Sequence, residues 1–316
     1  MSTFLDSLLG AFLIGVILSS IIYGITWLQV YLYYSQHCSR DGVFLKSFVA
    51  MLTVLDTVHL VLLCHGLYAA AVTNFGNYLA NLHAPWTLVV QCIVGVAATT
   101  CIQQFYALRV YQLSQRKNII IPIAISTISV TEFGFSVAFA TRSLEIGSFA
   151  KNTPSLPYGV STLALEVICG AFITVSMVYY ILQQRSGIRR TNRVLKLVTL
   201  YIINSGALNL VFATTCLITY VHYPKTLIYA PFFFILIRLY PCSFMTILNS
   251  RVNVRSRLRG EGPTIVTITH EQITDRSPLT SSKPGHDSSG DAMAMASKAR
   301  ERRTAEKAVG LDEGVI

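Results

Sequence analysis

The sequence predicts an all-α, polytopic membrane bundle of seven transmembrane helices, with its N-terminus outside, its C-terminus in the cytosol and a disordered C-terminal tail. Three observations carry this. The 316 residues are 53% hydrophobic and only 13% charged, whereas about a quarter of the residues of an ordinary soluble domain are charged. Seven apolar stretches are each long enough for the roughly 20 residues that span a bilayer core as a helix. Lys and Arg gather at alternate ends of those stretches.

The first stretch runs from Leu8 to Tyr34. Met1 to Leu5 lack the positive n-region of a secretory signal, and the run is longer than a signal core, so it reads as a retained helix. The others run from Val43 to Val72, Trp86 to Tyr111, Asn118 to Thr141, Tyr158 to Leu182, Leu195 to His222 and Leu227 to Leu248. They are too long for barrel strands and lack the polar alternate face such strands need. Backbone groups in hydrocarbon must be satisfied internally, which leaves helices. Pro231 and Pro241 in the seventh stretch are expected to kink it.

Orientation follows from the basic residues. Arg40, Lys46, Arg109, Arg116, Lys117, Arg185, Arg189, Arg190, Arg193, Lys196, Arg251, Arg255, Arg257 and Arg259 fall on one side, and Arg142, Lys151 and Lys225 on the other. Fourteen against three places the N-terminus outside. Trp27, Tyr33, Tyr34, Trp86, Tyr111 and Tyr158 suit the two interfaces. The net charge of +10 matches attraction to anionic headgroups and forms no single basic face, so no nucleic-acid partner is expected.

Residues 1–259 form the transmembrane domain on this reading, and 260–316 a polar, largely disordered cytosolic tail, with Ser277, Ser281, Ser282, Ser288 and Ser289 among its residues. Its Ser and Thr content is open to phosphorylation, and Ala292 to Val309 could form a helix on a cytosolic partner. Six of the seven cysteines lie inside apolar runs, where they act as small hydrophobes. Cys38 is in an inner loop, a juxtamembrane position open to palmitoylation but more often a plain reduced thiol. There is no zinc spacing and no thiol redox motif, and no cofactor is expected.

Ionisable groups within the membrane are costly and usually face the bundle interior, which makes them the candidate site residues. Asp56 and His59, three apart, share one face of the second helix. Glu132 lies in the fourth helix, Glu166 in the fifth and Arg238 in the seventh. An internal ion pair of Arg238 with Asp56 or Glu166 is expected, serving either as helix glue or as part of a ligand or ion site. Asp56 and His59 could also belong to a zinc centre, but a hydrolase needs three converging ligands and a third histidine is not evident.

Several segments together resemble a large family of fungal, mushroom-type seven-helix membrane proteins known only as a domain of unknown function. They are Gly10-Ala11-Phe12-Leu13-Ile14-Gly15, Tyr23-Gly24, Gln29-Val30-Tyr31-Leu32-Tyr33-Tyr34, Leu55-Asp56-Thr57-Val58-His59, Asn74-Phe75-Gly76-Asn77, Arg238-Leu239-Tyr240 and Leu248-Asn249-Ser250-Arg251. The resemblance covers Leu8 to Arg257 and implies topology without chemistry. Related sequences often carry a lysine where Arg238 stands, which keeps the charge and changes its geometry.

The expected function is a receptor-like sensor of a small or lipid-borne ligand, in the plasma membrane, signalling through basic inner loops and tail. The marks of rhodopsin-like receptors are missing: Ala107-Leu108-Arg109-Val110-Tyr111 has no acid before its arginine, and the seventh helix has no Asn-Pro-x-x-Tyr and no interior lysine for a retinal Schiff base. The alternatives are a transporter or channel with a polar path, although no internal repeat is evident, and a non-catalytic membrane scaffold. A membrane-embedded hydrolase is disfavoured.

Overall fold

The computed structural model describes residues 2–37, 41–77, 86–147, 153–184, 189–223 and 227–259. Cys38 and the polar tail from 260 onward lie outside the described residues. Within these there is no strand, and seven long helices follow one another: α1 (Ser2–Leu32), α2 (Val43–Tyr68), α3 (Trp86–Leu113), α4 (Ile120–Ile146), α5 (Leu156–Gln183), α6 (Arg189–His222) and α7 (Ala230–Arg259). Wider π-type turns, Tyr33–His37 and Ala69–Thr73, extend α1 and α2. Each helix contains a stretch of 21 to 31 residues apolar enough to cross a bilayer. The chain is a multi-pass membrane protein, in contact with lipid over its apolar faces.

Side chains on α1 show how the sequence divides. Phe12, Val16, Ser19, Thr26, Val30 and Tyr33 are buried, in steps that fit one helical face. Ile14, Leu18, Ile21, Ile25 and Leu28 are exposed on the opposite face, with the same spacing. In water such a stripe would drive association; in lipid it is the solvated surface. Polar residues go inward because hydrocarbon offers them no partner.

Each helix packs on the next, and α1 closes the ring on α7; α3 also reaches α5 and α7. The spanning stretch of α7 is 67% buried, against 17% for that of α6, so α7 is the element best placed to hold charge away from lipid. Close approach depends on small residues. A Cβ on Gly15 would stand 2.9 Å from both Phe234 Cδ2 and Pro231 Cα, which leaves α1 no room for a side chain there against α7.

The helices run past the ends that hydropathy marks. α4 continues to Ile146 instead of Thr141, α7 to Arg259 instead of Leu248, and α6 begins at Arg189 instead of Leu195. Arg189, Arg190 and Arg193 are therefore in the first turns of a helix, not in a loop. A helix needs no apolar side chains once it leaves the hydrocarbon, so hydropathy finds the membrane and not the helix end. Gly147, at φ 61°, closes α4 by donating its N–H to the Ser143 carbonyl at 3.0 Å. Of the two prolines expected to kink the helix, Pro231 is the second residue of α7, where its missing N–H costs nothing, and Pro241 lies inside the helix.

Candidate functional site

The five ionisable residues singled out in the sequence separate into two clusters. The first holds Asp56, Arg238 and, beside them, His59. Asp56 and His59 lie on the buried face of α2, in line with Val49, Leu52, Leu63 and Gly66. Arg238 has no solvent exposure and ion-pairs with the Asp56 carboxylate. Its Nη1 also donates to the Asp56 backbone carbonyl at 2.7 Å, and its Nε to Ser19 Oγ of α1 at 3.1 Å. The guanidinium carbon lies 5.2 Å from the centre of the Tyr23 ring, whose hydroxyl bonds Thr57 Oγ1 at 3.0 Å. One arginine thus ties α1, α2 and α7 together. Lower on the same seam, Gln29 donates to Thr246 Oγ1 and Asn249 donates to the Gln29 carbonyl, both at 2.8 Å.

Among the described residues the second cluster contains two acids and no cation. Glu132 on α4 and Glu166 on α5 are brought together on one donor. Gln103 of α3 sits between them and donates Nε2 to Glu132 Oε2 at 3.2 Å and to Glu166 Oε2 at 3.3 Å. Tyr240 of α7 donates its hydroxyl to Glu166 Oε1. Gln103 is completely buried, and its Oε1 has no partner. Arg238 therefore pairs with Asp56 and not with Glu166, although both acids were open to it in the sequence.

Above both clusters, at the end that the charge rule places outside, is a cavity of about 90 Å³. Its walls include Phe12, Phe139, Tyr220, Phe233 and Phe234, with Gln91, Ser136 and Thr162 supplying polar atoms. Tyr220 lies flat against α5 because residue 159 is glycine: a Cβ there would meet the Tyr220 hydroxyl at 2.6 Å. Gln91 is buried and its carbonyl oxygen is unpartnered. His59 lies alongside it, within reach of interaction, but neither ring nitrogen has hydrogen-bond geometry to any group. The ring packs over Gly95 of α3, where a Cβ would stand 3.1 Å from His59 Cδ2. Such a chamber can take a compact apolar molecule carrying one hydrogen-bond donor for the Gln91 carbonyl.

The inner half is filled instead. Phe48, Phe105 and Phe244 interlock with ring centroids 5.0 to 5.6 Å apart, and Tyr106 packs beside them. Among the described residues no group of three His, Cys, Asp or Glu converges to hold a metal ion.

Gln91, Gln103 and Ser19 are residues that sequence reasoning passes over, and Tyr23 and Tyr240 enter it only within motifs, without a role. A signal exists for two of them. Gln91, Gly95, Thr99 and Gln103 recur every four residues through the apolar run of α3, and all are buried. Two amides and a threonine in register with a glycine, all buried in an apolar run, mark an inward polar stripe.

Residues 166–253 match DUF6534, a family of unknown function. The matched segment begins at Glu166 and takes in Arg238 and Tyr240. No curated protein and no solved structure matches the chain.

Proposed function

We propose that the chain is a receptor-like seven-helix sensor, and that its ligand is a small, largely apolar molecule with one hydrogen-bond donor, held in the outer cavity. The observation that carries this is the buried Gln91 carbonyl, without a hydrogen bond beside the His59 ring, in a chamber wall that is aromatic and aliphatic apart from a few hydroxyls. A buried polar atom without a partner costs about 1–3 kcal/mol, and a ligand that supplies a donor recovers it. A cavity of roughly 150 Å³ admits benzene, so a space of about 90 Å³ suits a short alcohol, or a ring alcohol after a side-chain rotation.

Contact at the chamber can reach the cytosolic side along α7. Phe233 and Phe234 line the cavity, Arg238 is one turn deeper and Tyr240 half a turn beyond. A ligand that moves the first pair shifts the helix that carries both polar clusters. The plasma membrane is the membrane this role requires, and the motif set supports a fungal seven-helix origin.

Transport is the second reading, and one observation favours it. A smaller inner cavity of about 30 Å³, lined by Gly170, Asn209 and Tyr240 among others, lies beyond the acid pair. The two readings separate in proteoliposomes given labelled cyclohexanol and, as a donor-free control, cyclohexane. A sensor binds the alcohol saturably in wild type and loses that binding in Gln91→Leu. A concentration gradient of the alcohol driven by an imposed ion gradient would instead establish transport. Equal binding of alcohol and cyclohexane would remove the role given to Gln91.

A further inference from the structure

We propose that Glu132 and Glu166 form a proton-binding site, holding one proton between their carboxyls and exchanging it with water through the outer cavity. Geometry carries this. The two side chains belong to different helices, accept from the same Gln103 nitrogen, and lie inside membrane-spanning stretches of α4 and α5. Their exposures are 1% and 5%. Their hydrogen-bond partners, Gln103 and Tyr240, are both neutral donors. Arg238 is committed to Asp56, the Asp56 carbonyl and Ser19. Two carboxylates held on one amide, with no cation beside them among the described residues, repel one another and both lose hydration. One proton turns that repulsion into a hydrogen bond and leaves a single charge for the amide and the phenol to stabilise.

Gln103 supplies the independent sign of an exchanging occupant. Its amide is aimed into the pair, it is wholly buried, and its Oε1 is unpartnered. With one proton held between the carboxyls, the amide nitrogen stays toward the remaining charge, and a half-turn would bring Oε1 to the O–H of a second proton.

The route is set by helix register. Ser136 is one turn above Glu132 on α4, and Thr162 one turn above Glu166 on α5; both line the outer cavity. A turn is about 5.4 Å, so the pair lies one side-chain length below the cavity floor. The proton comes from water there, binds a carboxylate oxygen, and returns by the same path. The other titratable groups facing the pair are Cys169 of α5, Cys216 of α6 and Tyr240 of α7. The Asp56–Arg238 pair with His59 lies on the side of α7 facing α1 and α2.

The test compares wild type with Glu132→Gln, full chain in lipid nanodiscs, by thermal unfolding across about pH 5 to 8 in sodium and in choline chloride. An unfolded glutamate releases its proton above about pH 4.3, and the folded pair keeps one. Wild-type stability therefore falls relative to the variant as pH rises, up to tenfold in the unfolding equilibrium per pH unit. Glu132→Gln copies the charge and shape of the singly protonated pair, so its own profile lacks this slope. Parallel profiles for the two proteins overturn the proposal. So does a wild-type slope that sodium abolishes, which would make the occupant a metal cation. If the variant fails to fold, infrared spectroscopy of the wild type decides: a protonated-carboxyl carbonyl band at neutral pH, sensitive to deuterium exchange, is expected, and its absence contradicts the site.

Discussion

Asp56 with Arg238 and Glu132 with Glu166 are both buried polar contacts between helices, but one is balanced in charge and the other is not. In the first, opposite charges meet and hydrogen bonds to Ser19 and the Asp56 carbonyl occupy further donors. Its members are fixed partners, and removing either strands a charge in hydrocarbon. In the second, like groups meet around neutral donors, and a change in occupancy can be absorbed. The balanced cluster fastens α1, α2 and α7; the unbalanced one is free to respond. Fastening and responding are separate jobs on separate faces of α7.

The contrast can be broken most severely at Arg238. Arg238→Gln leaves Asp56 buried without its partner, a loss of about 3–5 kcal/mol, read as a large fall in the melting temperature of the purified protein. Asp56→Asn combined with Arg238→Gln should cost less than the sum of the two single changes; strict additivity would mean that the residues do not act as a pair. Glu132→Gln, the like exchange in the other cluster, strands no charge and should be no less stable than wild type at neutral pH. A loss as large as that of Arg238→Gln would erase the distinction between the clusters.

Between these extremes is the contact that seats His59. A Cβ on Gly95 would collide with Ile237 and press on His59, so Gly95→Val should destabilise by about 1–3 kcal/mol through overpacking. Differential scanning fluorimetry of the purified variant checks this, and a neutral result would mean that α3 can move away from α2 and α7 freely. The smallest effect is expected at Arg142 and Glu145. They pair at 2.8 Å, but both are more than half exposed. Arg142→Ala should leave the melting temperature unchanged.

Much of this fold is legible in the sequence because bilayer thickness imposes a minimum apolar length on every element. Asp56, His59, Glu132, Glu166 and Arg238 stand out because charge in an apolar run is rare. Which acid meets Arg238 is not legible: it depends on α1, α2 and α7 being neighbours in space, and Asp56 is 182 residues away from Arg238 in the chain. Gln91 and Gln103 stay hidden for a different reason. An uncharged amide in a membrane helix is ordinary packing glue; the four-residue recurrence with Gly95 and Thr99 is their one trace in the sequence, and burial with a missing partner is what singles them out. Pro231 shows the reverse error, since a proline that reads as a kink is harmless in a first turn.

The measurement that bears most directly on the outer cavity is the melting temperature of the full chain in lipid nanodiscs with and without saturating cyclohexanol, in wild type and in Ser136→Phe, whose ring would fill the chamber. A rise in wild type, lost in Ser136→Phe while that variant's own melting temperature is kept, is the expected result. An equal rise in both proteins, or none in wild type with any small alcohol tried from propanol to phenol, would contradict a ligand in the cavity.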